Sequence, residues 1–169
     1  MLLRRLGTSA RIGVAAFVAG LVLLFVAFVA LANQEDGSVR AQDANVAQAE
    51  AALGRSLPQV TTAVAGLKRS GIGIDPPEAP LRAVHVSYAI DGSNVVLLNI
   101  GKAGTVRTQA QETIQLPGHS ASVVTQLLGN GTTDVSYAWS DTGYFYALHV
   151  NLSHGLTRTV ADQIAASIR

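Results

Sequence analysis

The sequence predicts an α+β protein: an N-terminal transmembrane helix followed by an antiparallel meander sheet of about six strands packed against N- and C-terminal helices. Three observations carry this. One apolar run near the N-terminus is uninterrupted, a long central region has apolar residues at every second position, and the flanking segments have them at every third or fourth.

The 169 residues suffice for one domain of ordinary size plus an anchor, with 49% apolar and only 14% charged residues. Much of the apolar excess lies in residues 12–32, IGVAAFVAGLVLLFVAFVALA, which contain no charge. As a helix at 1.5 Å per residue this run reaches about 31 Å, the thickness of a bilayer's hydrocarbon core. Arg4, Arg5 and Arg11 precede it and Glu35 and Asp36 are the first charges after it, so the positive-inside bias puts the N-terminus in the cytoplasm.

The resulting organisation is a cytoplasmic tail over 1–11, a transmembrane anchor over 12–32, a polar linker over 33–42 and an extracytoplasmic α+β domain over 43–169. A cleaved secretory signal is the competing reading, because Ala30-Leu31-Ala32 is a small-x-small triplet. The run exceeds the usual signal length of roughly 7 to 15 residues, which favours the anchor. Within it Gly13, Ala16 and Gly20 are small, and the Ala16 to Gly20 interval lets a second membrane helix approach closely. These three residues are the expected helix-packing site.

All eleven acidic residues follow the anchor together with nine of the twelve basic ones, leaving the outer part at −2. Near neutrality argues against a nucleic-acid partner. The absence of cysteine excludes disulfides, thiolate metal sites and a Cys nucleophile.

Beyond the linker, Asp43 can cap a helix in which Val46, Ala49, Leu53 and Leu57 form one apolar stripe ending at Pro58. A further helical turn or two fits 59–68, and the Gly- and Pro-rich stretch 70–80 should break any regular element. From Leu81 the period changes to two: Val84, Val86, Tyr88 and Ile90 alternate with His85, Ser87 and Ala89. Asp91-Gly92-Ser93-Asn94 supplies a turn into a partner strand over 95–100. Further strands are expected over 111–116, 121–128, 134–140 and 144–150, with a turn at Pro117-Gly118 and a three-residue loop Asp141-Thr142-Gly143. Val135, Tyr137 and Trp139 should share a face, as should Tyr144, Tyr146, Leu148 and Val150. Ser153 then caps a last helix whose Leu156, Val160, Ile164 and Ile168 point to the sheet.

The C-terminal residues Trp139, Gly143, Tyr146, Leu148, Leu152, Ser153, Ile164, Ala165, Ser167 and Ile168 carry a resemblance, as does the Leu116-Pro117-Gly118-His119-Ser120-Ala121 hairpin. Over residues 112–169 the chain resembles a bacterial domain family of unknown function found on single-pass membrane and anti-sigma-factor-like proteins. The resemblance implies a fold similar to periplasmic lipoprotein-carrier and sigma-regulator domains, and an extracytoplasmic location; it transfers no active site. The chain departs from it in having His154, Gly155 and Thr157 where the family often places acidic residues.

No motif compels a reaction. His85 and His149 should lie on the face opposite the apolar side of their strands, with His119 in a turn and His154 beyond the last strand. No pair of them shows the helical spacing with a nearby Glu that a zinc hydrolase uses. Ser120, Ser136 and Ser140 lie in neither a Gly-x-Ser-x-Gly nor a Ser-x-x-Lys arrangement. The segment Gly101-Lys102-Ala103-Gly104-Thr105 lacks the spacing of a phosphate loop. Asn130-Gly131-Thr132 and Asn151-Leu152-Ser153 match the glycosylation sequon, which matters only in a host that glycosylates, and in a bacterial chain a turn and a helix cap are the favoured reading.

The sequence therefore points to a non-catalytic, cofactor-free interaction module, with no catalytic, cofactor or metal residues assigned. Its expected partners are other membrane protein subunits, met through the transmembrane helix and the outer domain, and the lipid bilayer. Two alternatives remain: a carrier of a lipid or other apolar ligand held between sheet and helices, and a hydrolase in which His85, His119 or His149 converges with Glu112, Asp134 or Asp141.

Overall fold

The computed structural model describes residues 42–77, 82–102 and 110–169, all within a compact unit spanning 39–169. The strands are β1 (Gln42–Asp43), β2 (Lys68–Ile74), β3 (Ala83–Ile90), β4 (Ser93–Lys102), β5 (Glu112–Leu116), β6 (His119–Leu127), β7 (Thr133–Asp141) and β8 (Tyr144–Asn151). Two helices accompany them, α1 (Val46–Leu53) and α2 (Arg158–Ser167). The class is α+β, as expected.

The sheet is not a simple meander. Its order is β1-β2-β3-β4-β8-β7-β6-β5, with every neighbouring pair antiparallel. Two runs of consecutive hairpins meet at a seam where β4 pairs with β8 rather than with β5. The seam joins the most apolar strands: Val96, Leu98, Ile100, Leu148 and Val150 are 0–2% exposed. Placing both strands at the centre removes most apolar surface from water, and turn chemistry carries no information about that pairing.

Two strands lie where none was expected. Residues 68–74 form β2 through Gly71 and Gly73, pairing with β3 around a bulge at Ser70. Glycine here marks a bulge rather than a break. Gln42, from the expected linker, and Asp43 form β1 and add to β2. Residues 59–67 are not helical; Val60 instead makes a bridge to Ile168.

Both helices are shorter than their apolar stripes. Asn45, not Asp43, caps α1: its side chain accepts from the Gln48 amide while the Gln48 side chain accepts from the Asn45 amide. The helix ends at Gly54 (φ 74°), four residues before Pro58. Thr157 caps α2 in place of Ser153, because His154 (φ 52°) and Gly155 form a left-handed turn first. Residues 154–156 thus precede the helix.

The hairpins at Asp91-Gly92 and Thr142-Gly143 are both two-residue loops with positive φ at both positions. The second loop is therefore one residue shorter than expected. The predicted face is present: Val135, Tyr137 and Trp139 pair with Val150, Leu148 and Tyr146. The helices cover this face, with Ala49, Leu53, Ala161, Ile164 and Ala165 at most 2% exposed. The C-terminus is stitched to the segment after α1 by Gln59–Arg169 backbone bonds and by Thr61 Oγ1 donating 2.7 Å to the Ser167 carbonyl.

No helix among the described residues is long and apolar enough to cross a membrane. The run 12–32, with Gly13, Ala16 and Gly20, lies outside the described residues.

Candidate functional site

Strand alternation sends His85 and His149 to the face turned away from the helices, as expected. There each meets a carboxylate. His85 Nε2 lies 2.7 Å from Asp75 Oδ1, and its Nδ1 lies 2.6 Å from the Asn99 side-chain amide. The second oxygen of Asp75 accepts from the Ala83 amide at 3.2 Å, so this carboxylate also closes the β2–β3 connection. Asn99 is the cross-strand neighbour of His85.

On β7 and β8, Ser136 Oγ donates to Asp134 Oδ2 at 3.1 Å and lies 2.9 Å from His149 Nδ1. That nitrogen is also 3.6 Å from Asp134 Oδ2. A hydroxyl has one proton; given to Asp134, it leaves Ser136 to accept from Nδ1–H. This is the reverse of nucleophile activation, in which the imidazole takes the serine proton.

The two trios do not merge. His85 is level with Ala147 on β8 and His149 with Leu97 on β4, so two strand spacings, about 10 Å, and two residues along the strand, about 7 Å, separate them. Each holds one imidazole and one carboxylate, short of the four ligands of a closed zinc site. No group of three or more His, Asp or Glu residues among the described ones could hold a metal ion.

The remaining candidates are dispersed. Glu112 pairs with Arg158 of α2, which also donates through Nε to Asp162 at 2.9 Å and lies over the Tyr137 ring. Burial and the 2.7 Å bond from its hydroxyl to Asp162 raise the Tyr137 pKa far above its ordinary value. Burial alone would lower the Arg158 pKa, but the bonds to Asp162 and Glu112 outweigh it and raise it. This cluster clamps α2 to β5 and β7. Asn130 accepts from the Thr132 amide and hydroxyl, and Asn151 donates to Thr132, so both sequons close the β6–β7 turn region.

His119 stands on the helix-covered face as the first residue of β6, stacked on Trp139 (5.1 Å, 14°), which stacks on Tyr146 (5.0 Å, 3°). Arg55 completes the row, donating to the Tyr146 hydroxyl at 3.0 Å and lying over the Tyr144 ring. Asp75, Asn99 and Arg55 were not legible in the sequence because their partners lie on other elements, and neither was the link from Arg158 to Glu112 and Tyr137. Only Asn99 had a local signal, its polar position inside an apolar strand.

A cleft of about 620 Å³ opens at the rim beside α1, lined by Asp43, Gln48, Asp75, Arg82 and Lys102 with alanines, prolines and Ile74. It lies outside the helix-covered core.

No family model, no curated protein and no solved structure matches this chain.

Proposed function

We propose that the chain is a non-catalytic, single-pass, membrane-anchored extracytoplasmic interaction module, an accessory or regulatory subunit of a membrane protein complex. The observation that carries this reading is the charge-free run 12–32 behind Arg4, Arg5 and Arg11. The domain supports it chemically: His85 and His149 sit in two separate hydrogen-bonded trios and His119 in an aromatic stack, an arrangement suited to holding a sheet in shape.

The carrier reading draws less support. The space between sheet and helices that an apolar ligand would need is filled by Leu53, Leu98, Tyr137, Leu148 and Ile164, and the rim cleft carries charges of both signs. The hydrolase reading needs two or more of the histidines and carboxylates in one cleft, and His85 and His149 lie in separate trios.

The test is co-purification of the full-length chain in mild detergent, with Ala16→Leu and Gly20→Leu as paired variants. The expected result is a stoichiometric partner lost when the small positions are filled, while the outer domain keeps its circular dichroism. A monomer without a partner in the unsubstituted chain would sink the reading.

A further inference from the structure

The β6–β7 ladder is incomplete. β6 begins at His119, yet its register with β7 runs only from Ser122↔Ala138 to Leu127↔Thr133. Residues 119–121 have no ladder partners on Trp139–Asp141, although β5 remains paired with β6 up to Leu116↔His119. The tip of the β5–β6 hairpin therefore diverges from β7, and the aromatic stack of His119 on Trp139 spans the gap.

The imidazole in that stack is poorly placed to take a charge. His119 Nε2 is buried without a hydrogen-bond partner, and Asp141 of β7 is the charged group that acts on it. The rings packed beyond it, Trp139 and Tyr146, bring no anion, and Arg55 at the far end of the row is itself cationic. A proton on His119 would place a charge at a nitrogen with neither water nor an acceptor, a cost relieved when the ring swings out. Swinging out breaks no β6–β7 ladder bond, because none exists there.

We propose that the His119–Trp139 stack is an acid-operated latch that holds the tip of the edge hairpin β5–β6 against β7 and releases it on protonation. The direction of the histidine's pKa agrees: burial lowers it, with Asp141 acting the other way. Release bares one face of Trp139 and the unpaired β6-facing edge of β7 at residues 139–141. The inference stands on the outer domain alone and is independent of the anchor reading.

Trp139 is the chain's one tryptophan, so its emission reports the latch directly. The full-length chain in detergent is titrated from about pH 8 to about pH 5, a range centred near the ordinary histidine value, beside His119→Phe, which keeps a ring that cannot titrate. A reversible red shift with a midpoint below the ordinary histidine value is expected, absent in His119→Phe, while far-ultraviolet circular dichroism stays constant. Should His119→Phe fail to fold, His119→Gln serves as the non-titrating variant, expected to emit at one wavelength throughout. A constant wavelength in the natural chain, quenching without a red shift, or the same titration in either variant would overturn the latch.

Discussion

The two halves of the sheet are fastened differently. In the β2–β4 half backbone pairing runs the length of the strands, from Ala83↔Gly101 to Ile90↔Ser93, and continues across the seam from Val96↔Val150 to Lys102↔Tyr144. At the tip of the β5–β6 hairpin the ladder with β7 stops, and a side-chain contact takes over, the His119–Trp139 stack. Amide hydrogen bonds do not titrate in the ordinary pH range, whereas an imidazole does. The difference separates strands joined along their length by backbone bonds from a hairpin tip held by a ring contact.

The strongest test of that division is the seam. Leu148→Ala, at a site with no exposure, should cost about 2–5 kcal/mol through lost burial and a residual cavity. Chemical denaturation should show one cooperative transition moved to lower denaturant; an unchanged midpoint would mean the seam does not hold the halves together.

Gly101 tests the same region from the other face. A Cβ there would lie 2.3 Å from the Phe145 ring, so Gly101→Val should displace the ring and cost about 1–3 kcal/mol. Thermal unfolding beside Phe145→Leu, Gly101→Val double substitution measures how much of the loss is that contact, since a smaller side chain opposite should restore part of it.

Thr157 holds the start of α2 by accepting from the Val160 amide. Thr157→Ala is expected to cost about 1 kcal/mol, the ordinary value of an N-cap, read from the same denaturation curves.

The smallest effect is the pH dependence, and its sign follows from His119. Burial lowers its folded pKa below the ordinary 6.5, so the folded state binds this proton less readily than the unfolded chain. The group's contribution is complete above pH 6.5 and is lost as pH falls from there through the folded value. The stability of the natural chain should fall relative to that of His119→Phe as pH drops through this range; parallel curves would place the acid response elsewhere.

Much of this architecture was legible locally. Alternation at Val84, Val86 and Tyr88 and at Val135, Tyr137 and Trp139 named strands and their buried face correctly, because side-chain period reports burial directly. The glycine-rich β2 was missed because weak local preference was overridden by a neighbour with a free edge, β3. The caps were displaced for a related reason. Asp43 is drawn into the β1 pairing, which passes the capping task to Asn45.

The candidate site was half legible. That His85 and His149 share the face away from the helices followed from alternation alone. Their partners did not follow, since Asp75 reaches His85 only through the β2–β3 register and Ser136 meets His149 only once β7 and β8 pair.

By itself the sequence determined what depends on nearest neighbours along the chain: the identity of β3 to β8, the places of their hairpin turns, the buried face and the charge-free run at the N-terminus. Tertiary structure alone decided the β4–β8 seam, the divergence of the β5–β6 tip and the separation of the histidines. These depend on which distant surfaces bury each other most completely, a comparison no local segment contains.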